Sequence, residues 1–346
     1  MLAAVYNDRK IALTKKEKPV ASKDGAVMKV LAASICGTDF RTYLHGSSKI
    51  TNGTTIGHEV YGALIEIGED VAGFHMGDRV TVTPALGCGE CYMCRKGHTN
   101  MCDDLQTIGF EYDGAFAEYM EIPGVFFRRD HVNLVPGNVN AEQAVLAEPV
   151  ACAINAQGFL NIRPGDYVAI FGAGFIGSSH AELAKAQGAE KIILIEPNED
   201  RLRVTKQFIP EIYGVTGDED IIAKVAEITE GRGADVVIVA CSVGSAQAAA
   251  QQIIAKRGRI SLFGGLPGES AGFIDSNVIH YKEVGVFGVH ASTGPQNRKA
   301  IEWLADGTLD TSKYVTNRYP LNDIMQAFED IKTRGIMKAI IFPNED

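Results

Sequence analysis

Four cysteines crowd one short window: Cys88, Cys91, Cys94 and Cys102, spaced C-x2-C-x2-C-x7-C. Gly87, Gly89, Gly97 and Asn100 in the same window are turn formers, so a compact loop carries the thiols. Four thiolates so placed make the closed tetrahedral set that structural zinc takes. An iron–sulfur cluster or loose buried thiols are the alternatives. A bacterial ferredoxin run has a tighter last spacing followed by proline, and here Asp103 follows Cys102.

A second stretch with chemistry in it is Gly172-Ala173-Gly174-Phe175-Ile176-Gly177, a G-x-G-x-x-G. Alone this hexapeptide is weak. It follows the apolar run Tyr167–Phe171, which reads as a buried strand, and it opens a helical stretch, 178–187, that stops at Gly188. The next apolar strand, Lys191–Ile195, ends on Glu196. Every position then has a physical role. Gly172 allows a tight turn, Gly174 lets backbone approach a pyrophosphate, Gly177 permits helix-on-sheet packing, and Glu196 meets a ribose hydroxyl. The helix start adds unpaired N–H groups and a partial positive charge. A plain βαβ unit with a glycine-rich turn is the bland alternative, but strand, helix and acid in register favour a dinucleotide.

The elements that must position these residues follow from texture. Residues 1 to about 150 are strand-rich with many turn glycines: strands are expected at 27–33, 60–67, 77–82 and 115–122, with a polar loop over 40–52. From about residue 152 strands and helices alternate, the pattern of a parallel sheet. Further strands read at 236–240, 259–263 and 284–288, and Gly264-Gly265-Leu266-Pro267-Gly268 makes a loop at a strand's carboxyl end. The tail reads as helices over 297–306 and 323–334, a strand-like 314–318, and a last strand over 338–342. At 346 residues two domains are expected. A net charge of −10 argues against nucleic acid as a partner, and no apolar stretch is long enough for a membrane span. The first eight residues read as a strand and not a signal peptide, so a cytoplasmic location with reduced thiols is expected.

Beside these motifs stand Cys36-Gly37-Thr38-Asp39, Gly57-His58-Glu59-x2-Gly62-x5-Gly68-x2-Val71, and Glu148-Pro149. With the cysteine window and the glycine fingerprint, in this order and over nearly the whole chain, the sequence resembles the zinc-dependent medium-chain alcohol dehydrogenase family. It is most similar to the polyol (sorbitol-type) branch. The resemblance implies an α/β protein: a doubly wound Rossmann sheet over 152–292, and a GroES-like β-rich catalytic domain from 1–151 and 293–346. It implies NAD and two zincs per chain, one structural on the four cysteines, the other catalytic on Cys36, His58 and Glu148. Glu59 would be a swing ligand or hold the site through water, Asp39 would fix the His58 tautomer, and Thr38 would carry the alcohol's proton outward. Cys152 competes with Glu148 but does not match the motif. Gly172, Gly174, Phe175, Ile176, Gly177 and Glu196 would bind the cofactor, and Arg201 would pack on its adenine. The expected reaction is hydride transfer from a secondary alcohol of a polyol or sugar to NAD, with a sugar-phosphate polyol, L-threonine or a simple secondary alcohol as runners-up. A non-catalytic NAD-sensing protein on the same fold would have lost the metal ligands, and here every ligand position is filled. A homo-oligomer, tetramer or dimer, is also implied. Two departures stand out: Arg41 replaces the family's relay histidine, and no Arg-Tyr pair stands near Gly288.

Overall fold

The computed structural model describes residues 1–217, 219–266 and 272–345. The chain forms two compact units, Met1–Ala151 with Ala291–Asp346, and Cys152–His290. The second crossing falls after His290, two residues before the sequence boundary at 292.

In the second unit six parallel strands run in the order Tyr213–Val215, Lys191–Ile195, Tyr167–Phe171, Ala234–Val239, Ile254–Leu262, Gly285–Gly288. Numbered along the chain that is 3-2-1-4-5-6, the doubly wound order, whose ligand crevice opens beyond the carboxyl ends of the first and fourth strands. The uninterrupted apolar runs are explained by burial on both faces. Ala169, Phe171, Ile193, Ile195, Val237 and Val239 pack into one core, and Val168, Ile170, Ile192, Leu194, Val236 and Ile238 into the other. Alternate residues thus serve opposite faces, as a pleat demands. Ile254–Leu262 starts earlier than the sequence suggested. Arg257 is left-handed (φ 59°) and the pairing register shifts against the neighbouring strand, so a bulged strand looks like a turn in the sequence.

The first unit is built on a mixed sheet around the long strands Ala26–Ser34 and Glu59–Ile67, which pair antiparallel. Ala339–Phe342 pairs antiparallel with Ala26–Ser34, bringing the tail against the site-bearing strands. The core beneath includes Phe116, Phe126, Phe328, Met28 and Leu64, all fully buried. Two expectations change here. The polar stretch after Cys36 is a helix, Gly37–His45, not a loop. The return strand is only Tyr119–Ile122, while Ala115 and Phe116 bond instead to Gly57 and Ile56.

Candidate active site

Strand register makes the first cluster. Ser34 lies opposite Glu59 in the antiparallel pair, so Cys36, two residues past Ser34, arrives beside His58 and Glu59. Ligand atoms of Cys36, His58 and Glu59 lie within 4.8 Å of one another. Cys36 caps the helix Gly37–His45, and its N–H donates to Asp39 Oδ2 at 2.9 Å. The other oxygen, Asp39 Oδ1, stands 3.4 Å from His58 Nδ1, an ion-pair distance, but His58 Nδ1 has no hydrogen-bond partner among the described residues. Burial lowers the His58 pKa, yet the Asp39 carboxylate and the Cys36 sulfur outweigh it and hold the imidazole well above its ordinary value. The pocket therefore calls for positive charge.

Glu59 is 1% exposed. Its Oε2 accepts from the Ser34 hydroxyl and the Lys338 ammonium, and its Oε1 has no hydrogen-bond partner among the described residues. A bare buried carboxylate oxygen beside a thiol and an imidazole is what a metal ligand set looks like before the metal, and the thiolate, imidazole and carboxylate chemistry suits zinc. Sequence reasoning missed Lys338 and Ser34. The one signal was a lysine opening an otherwise apolar run, Lys338-Ala339-Ile340-Ile341-Phe342. Glu148 is buried in the first turn of the helix Ala147–Leu160, with Cys152 one turn on; the converging set is Cys36, His58 and Glu59. Thr38 Oγ1 accepts from Arg41 Nη2 at 3.1 Å, so the residue in the relay-histidine position touches the expected proton carrier.

The cysteine window folds as expected of a metal loop. Sulfurs of Cys88, Cys91, Cys94 and Cys102 lie within 4.8 Å of one another and all four residues are free thiols. Backbone N–H groups are aimed at them: Cys91 donates to Cys88 Sγ at 3.3 Å, Cys94 to Cys91 Sγ at 3.4 Å, and Asp104 to Cys102 Sγ at 3.3 Å. The donation from Cys94 N–H brings the Cys91 thiol down to about 6, whereas burial pushes Cys94 up to about 12. With only protons to share, the group divides into one easy and one difficult ionisation; a dication removes that conflict. The four residues fit zinc.

In the second unit Gly172 turns at φ 102° and Gly174 caps the helix Phe175–Ala186 with no side chain in the way. Phe175 and Gly177 are buried and Ile176 half-buried, so the loop lies on the sheet. Glu196, 6% exposed, accepts from Ala173 N–H at 2.8 Å and from Asn198 N–H at 3.0 Å. The carboxylate thereby ties the glycine loop to the end of its own strand. Arg201 lies in the first turns of the helix Glu199–Phe208. Of the loop at 264–268, Pro267 and Gly268 lie outside the described residues. Cys241, half-buried after the fourth strand, has its thiol held up, first by burial.

Residues 22–128 match the alcohol dehydrogenase GroES-like domain, and residues 176–306 match the zinc-binding dehydrogenase domain. The chain is 31% identical over 350 residues to the sorbitol dehydrogenase of Bacillus subtilis (strain 168), covering 99% of this chain and 97% of that one. The chain belongs to the zinc-binding alcohol dehydrogenases. This dehydrogenase is also 30% identical to the L-threonine 3-dehydrogenase of Pyrococcus furiosus, over 95% of this chain and 94% of the relative. A zinc-binding dehydrogenase from Sinorhizobium meliloti 1021, solved bound to NADP, superposes with a TM-score of 0.91 at 27% identity, covering 99% of both chains. The two units of this dehydrogenase are thus those of an oxidoreductase in which zinc and a nicotinamide cofactor work together. No helix among the described residues is long and apolar enough to cross a membrane.

Proposed function

We propose that this dehydrogenase oxidises a secondary alcohol of a polyol or sugar, with NAD as the hydride acceptor. The observation that carries the reading is the convergence of Cys36, His58 and Glu59 around one buried, unpartnered carboxylate oxygen. Cys36, His58 and Glu148 would hold the catalytic zinc, with Glu59 as the reserve ligand, and Cys88, Cys91, Cys94 and Cys102 the structural one. Bound there, zinc supplies a Lewis acid that lowers the pKa of an alcohol into the neutral range.

The chain's own groups do the rest. Asp39 steadies His58 from behind and is itself fixed by the Cys36 N–H. Thr38 accepts the alcohol's proton as it passes on its own. Arg41 donates to the Thr38 oxygen and, being permanently protonated, cannot receive a proton. The proton therefore leaves Thr38 for water, without a side-chain relay through position 41. The open space over Gly174 and the capless helix start receive the pyrophosphate, and Glu196 takes the ribose hydroxyl, which a 2′-phosphate would replace with repulsion.

The polyol assignment is supported by the sorbitol dehydrogenase relative and by Arg41 and His45, exposed polar residues of the helix Gly37–His45; Thr42 is buried and the Tyr43 hydroxyl donates to Glu329. The test is kcat/KM with NAD for sorbitol, xylitol, galactitol, inositols and their phosphates, against 2-butanol and L-threonine. A preference for 2-butanol overturns the polyol reading. A preference for L-threonine or a phosphate ester moves the enzyme to that substrate, the latter with Arg41 as a binding residue. The Sinorhizobium relative makes NADP a necessary arm of the assay. Family resemblance supports a cytoplasmic tetramer, which light scattering checks.

A further inference from the structure

We infer that Lys338 is the charge-balancing positioning residue of the catalytic metal centre, holding one oxygen of Glu59 so that the metal never takes the whole carboxylate. The inference rests on the zinc reading of Cys36, His58 and Glu59.

Lys338 is 5% exposed and Glu59 1%, so the ion pair between them is sealed from water. Lys338 opens the run that becomes the strand Ala339–Phe342, and that strand pairs with the end of Ala26–Ser34. The pairing brings the ammonium under the loop that bears Cys36. There it donates to the Ile35 carbonyl at 3.1 Å, next to the cysteine ligand, and to Glu59 Oε2. The Ser34 hydroxyl, fully buried, donates to the same oxygen. Glu59 is therefore divided: Oε2 carries two donors, and Oε1 carries none and stays buried. One buried carboxylate is shaped to serve two cations at once, an ammonium behind and a metal in front.

Two opposed consequences follow, and magnitude decides between them. As a strut, Lys338 orients Glu59, and losing it would loosen the metal. As a charge, it competes for Glu59 and repels a dication across one carboxylate. Repulsion between charges of +1 and +2 a few ångströms apart in a buried site exceeds the orientation gained from one hydrogen bond, even at a generous effective dielectric. Lys338 thus weakens the metal's hold on Glu59, keeps that ligand exchangeable, and leaves more of the metal's positive charge for the substrate.

The experiment follows zinc release. Wild type, Lys338→Met and Lys338→Arg are loaded with zinc, and release to a chromogenic chelator is timed for the catalytic and structural ions separately. Lys338→Met is expected to release the catalytic zinc about tenfold more slowly, with the structural zinc unchanged, and Lys338→Arg to restore the wild-type rate. Should Lys338→Met fail to fold, Lys338→Gln keeps a donor for Ile35 and Glu59 without the charge, and the same slowing is expected. Release as fast as wild type, or faster, overturns the inference, because a mere strut gives faster loss. A wild-type enzyme with zinc on the cysteine loop alone overturns the zinc reading as well.

Discussion

The three glycines of the fingerprint have different roles, and substituting them one at a time separates folding from cofactor binding. A methyl on Gly177 would stand 1.8 Å from the Gly172 carbonyl oxygen, backbone against which nothing can yield. A methyl on Gly174 meets no heavy atom of the described residues within 4 Å, and the φ of −72° suits any residue. Gly177→Ala should cost about 1–3 kcal/mol or more as an overpacked contact, lowering Tm by roughly 5 °C or more. Gly174→Ala gives up a good N-cap, about 0.5–1 kcal/mol, and regains about as much from a stiffer unfolded chain, so its Tm should barely move. Its methyl nevertheless fills the space the pyrophosphate needs. Losing one charge-assisted hydrogen bond there, about 1.5–3 kcal/mol, weakens NADH roughly 10- to 100-fold. The assays are thermal unfolding without cofactor and titration of NADH fluorescence. Gly174→Ala binding NADH within about twofold of wild type would place the pyrophosphate elsewhere, and a Gly177→Ala protein of native stability would refute the packing argument.

Cys91→Ser should lower zinc from two per chain to one and depress Tm, since metal binding and folding are coupled in the loop; unchanged metal content in the purified variant counts against it. Glu148→Ala should lose catalytic zinc and turnover while Cys152→Ala keeps both, and the reverse pattern would hand the third ligand to Cys152. Glu196→Ser should relax the preference for NAD over NADP and, because two backbone N–H groups lose their acceptor, weaken NADH too; a wild type that uses both cofactors equally refutes the role of Glu196. Burial drives His180 from 6.5 down to about 3, so its stability contribution is intact above pH 6.5 and is lost as pH falls toward 3. The loss reaches about 5 kcal/mol, and His180→Asn should flatten that part of the acid-unfolding curve; an unaltered curve would mean the imidazole is not held neutral.

What the sequence revealed depended on how locally each feature is encoded. Tyr167–Phe171 and Lys191–Ile195 fall at their expected bounds because both are short apolar runs closed by a glycine or an acid. The helix Gly37–His45 was hidden: its cap is a cysteine and its face is polar, so neither a capping residue nor an apolar stripe announces it. The bulge near Arg257 mimics a turn, since Lys256-Arg257-Gly258 has turn composition. Cys36, His58 and Glu59 were legible only through resemblance. The Ser34–Glu59 register that joins them is a long-range pairing that no local pattern specifies. Lys338 lies further still, 279 residues from Glu59, and its role exists only once the last strand has found its partner.

Charge explains why that distant lysine belongs in the site. Cys36, Asp39 and Glu59 place three acidic side chains around one imidazole, and Asp39, His58 and Glu59 are all buried. Burying so much negative charge without compensation would be prohibitive. Part of the compensation is the Lys338 ammonium on Glu59, and the negative charge of Asp39 and Cys36 holds the His58 pKa well above its ordinary value against the effect of burial. With Cys36 as the thiolate that metal binding requires, these three acids and the Lys338 ammonium leave two negative charges, which one divalent cation would match, and Glu59 Oε1 and the Cys36 sulfur offer it ligands. On the zinc reading proposed above, the metal would complete the compensation and leave the ion pair of Lys338 with Glu59 in place. Lys338 therefore balances Glu59 in particular, and the lysine is what would let that carboxylate stand beside a metal without being consumed by it.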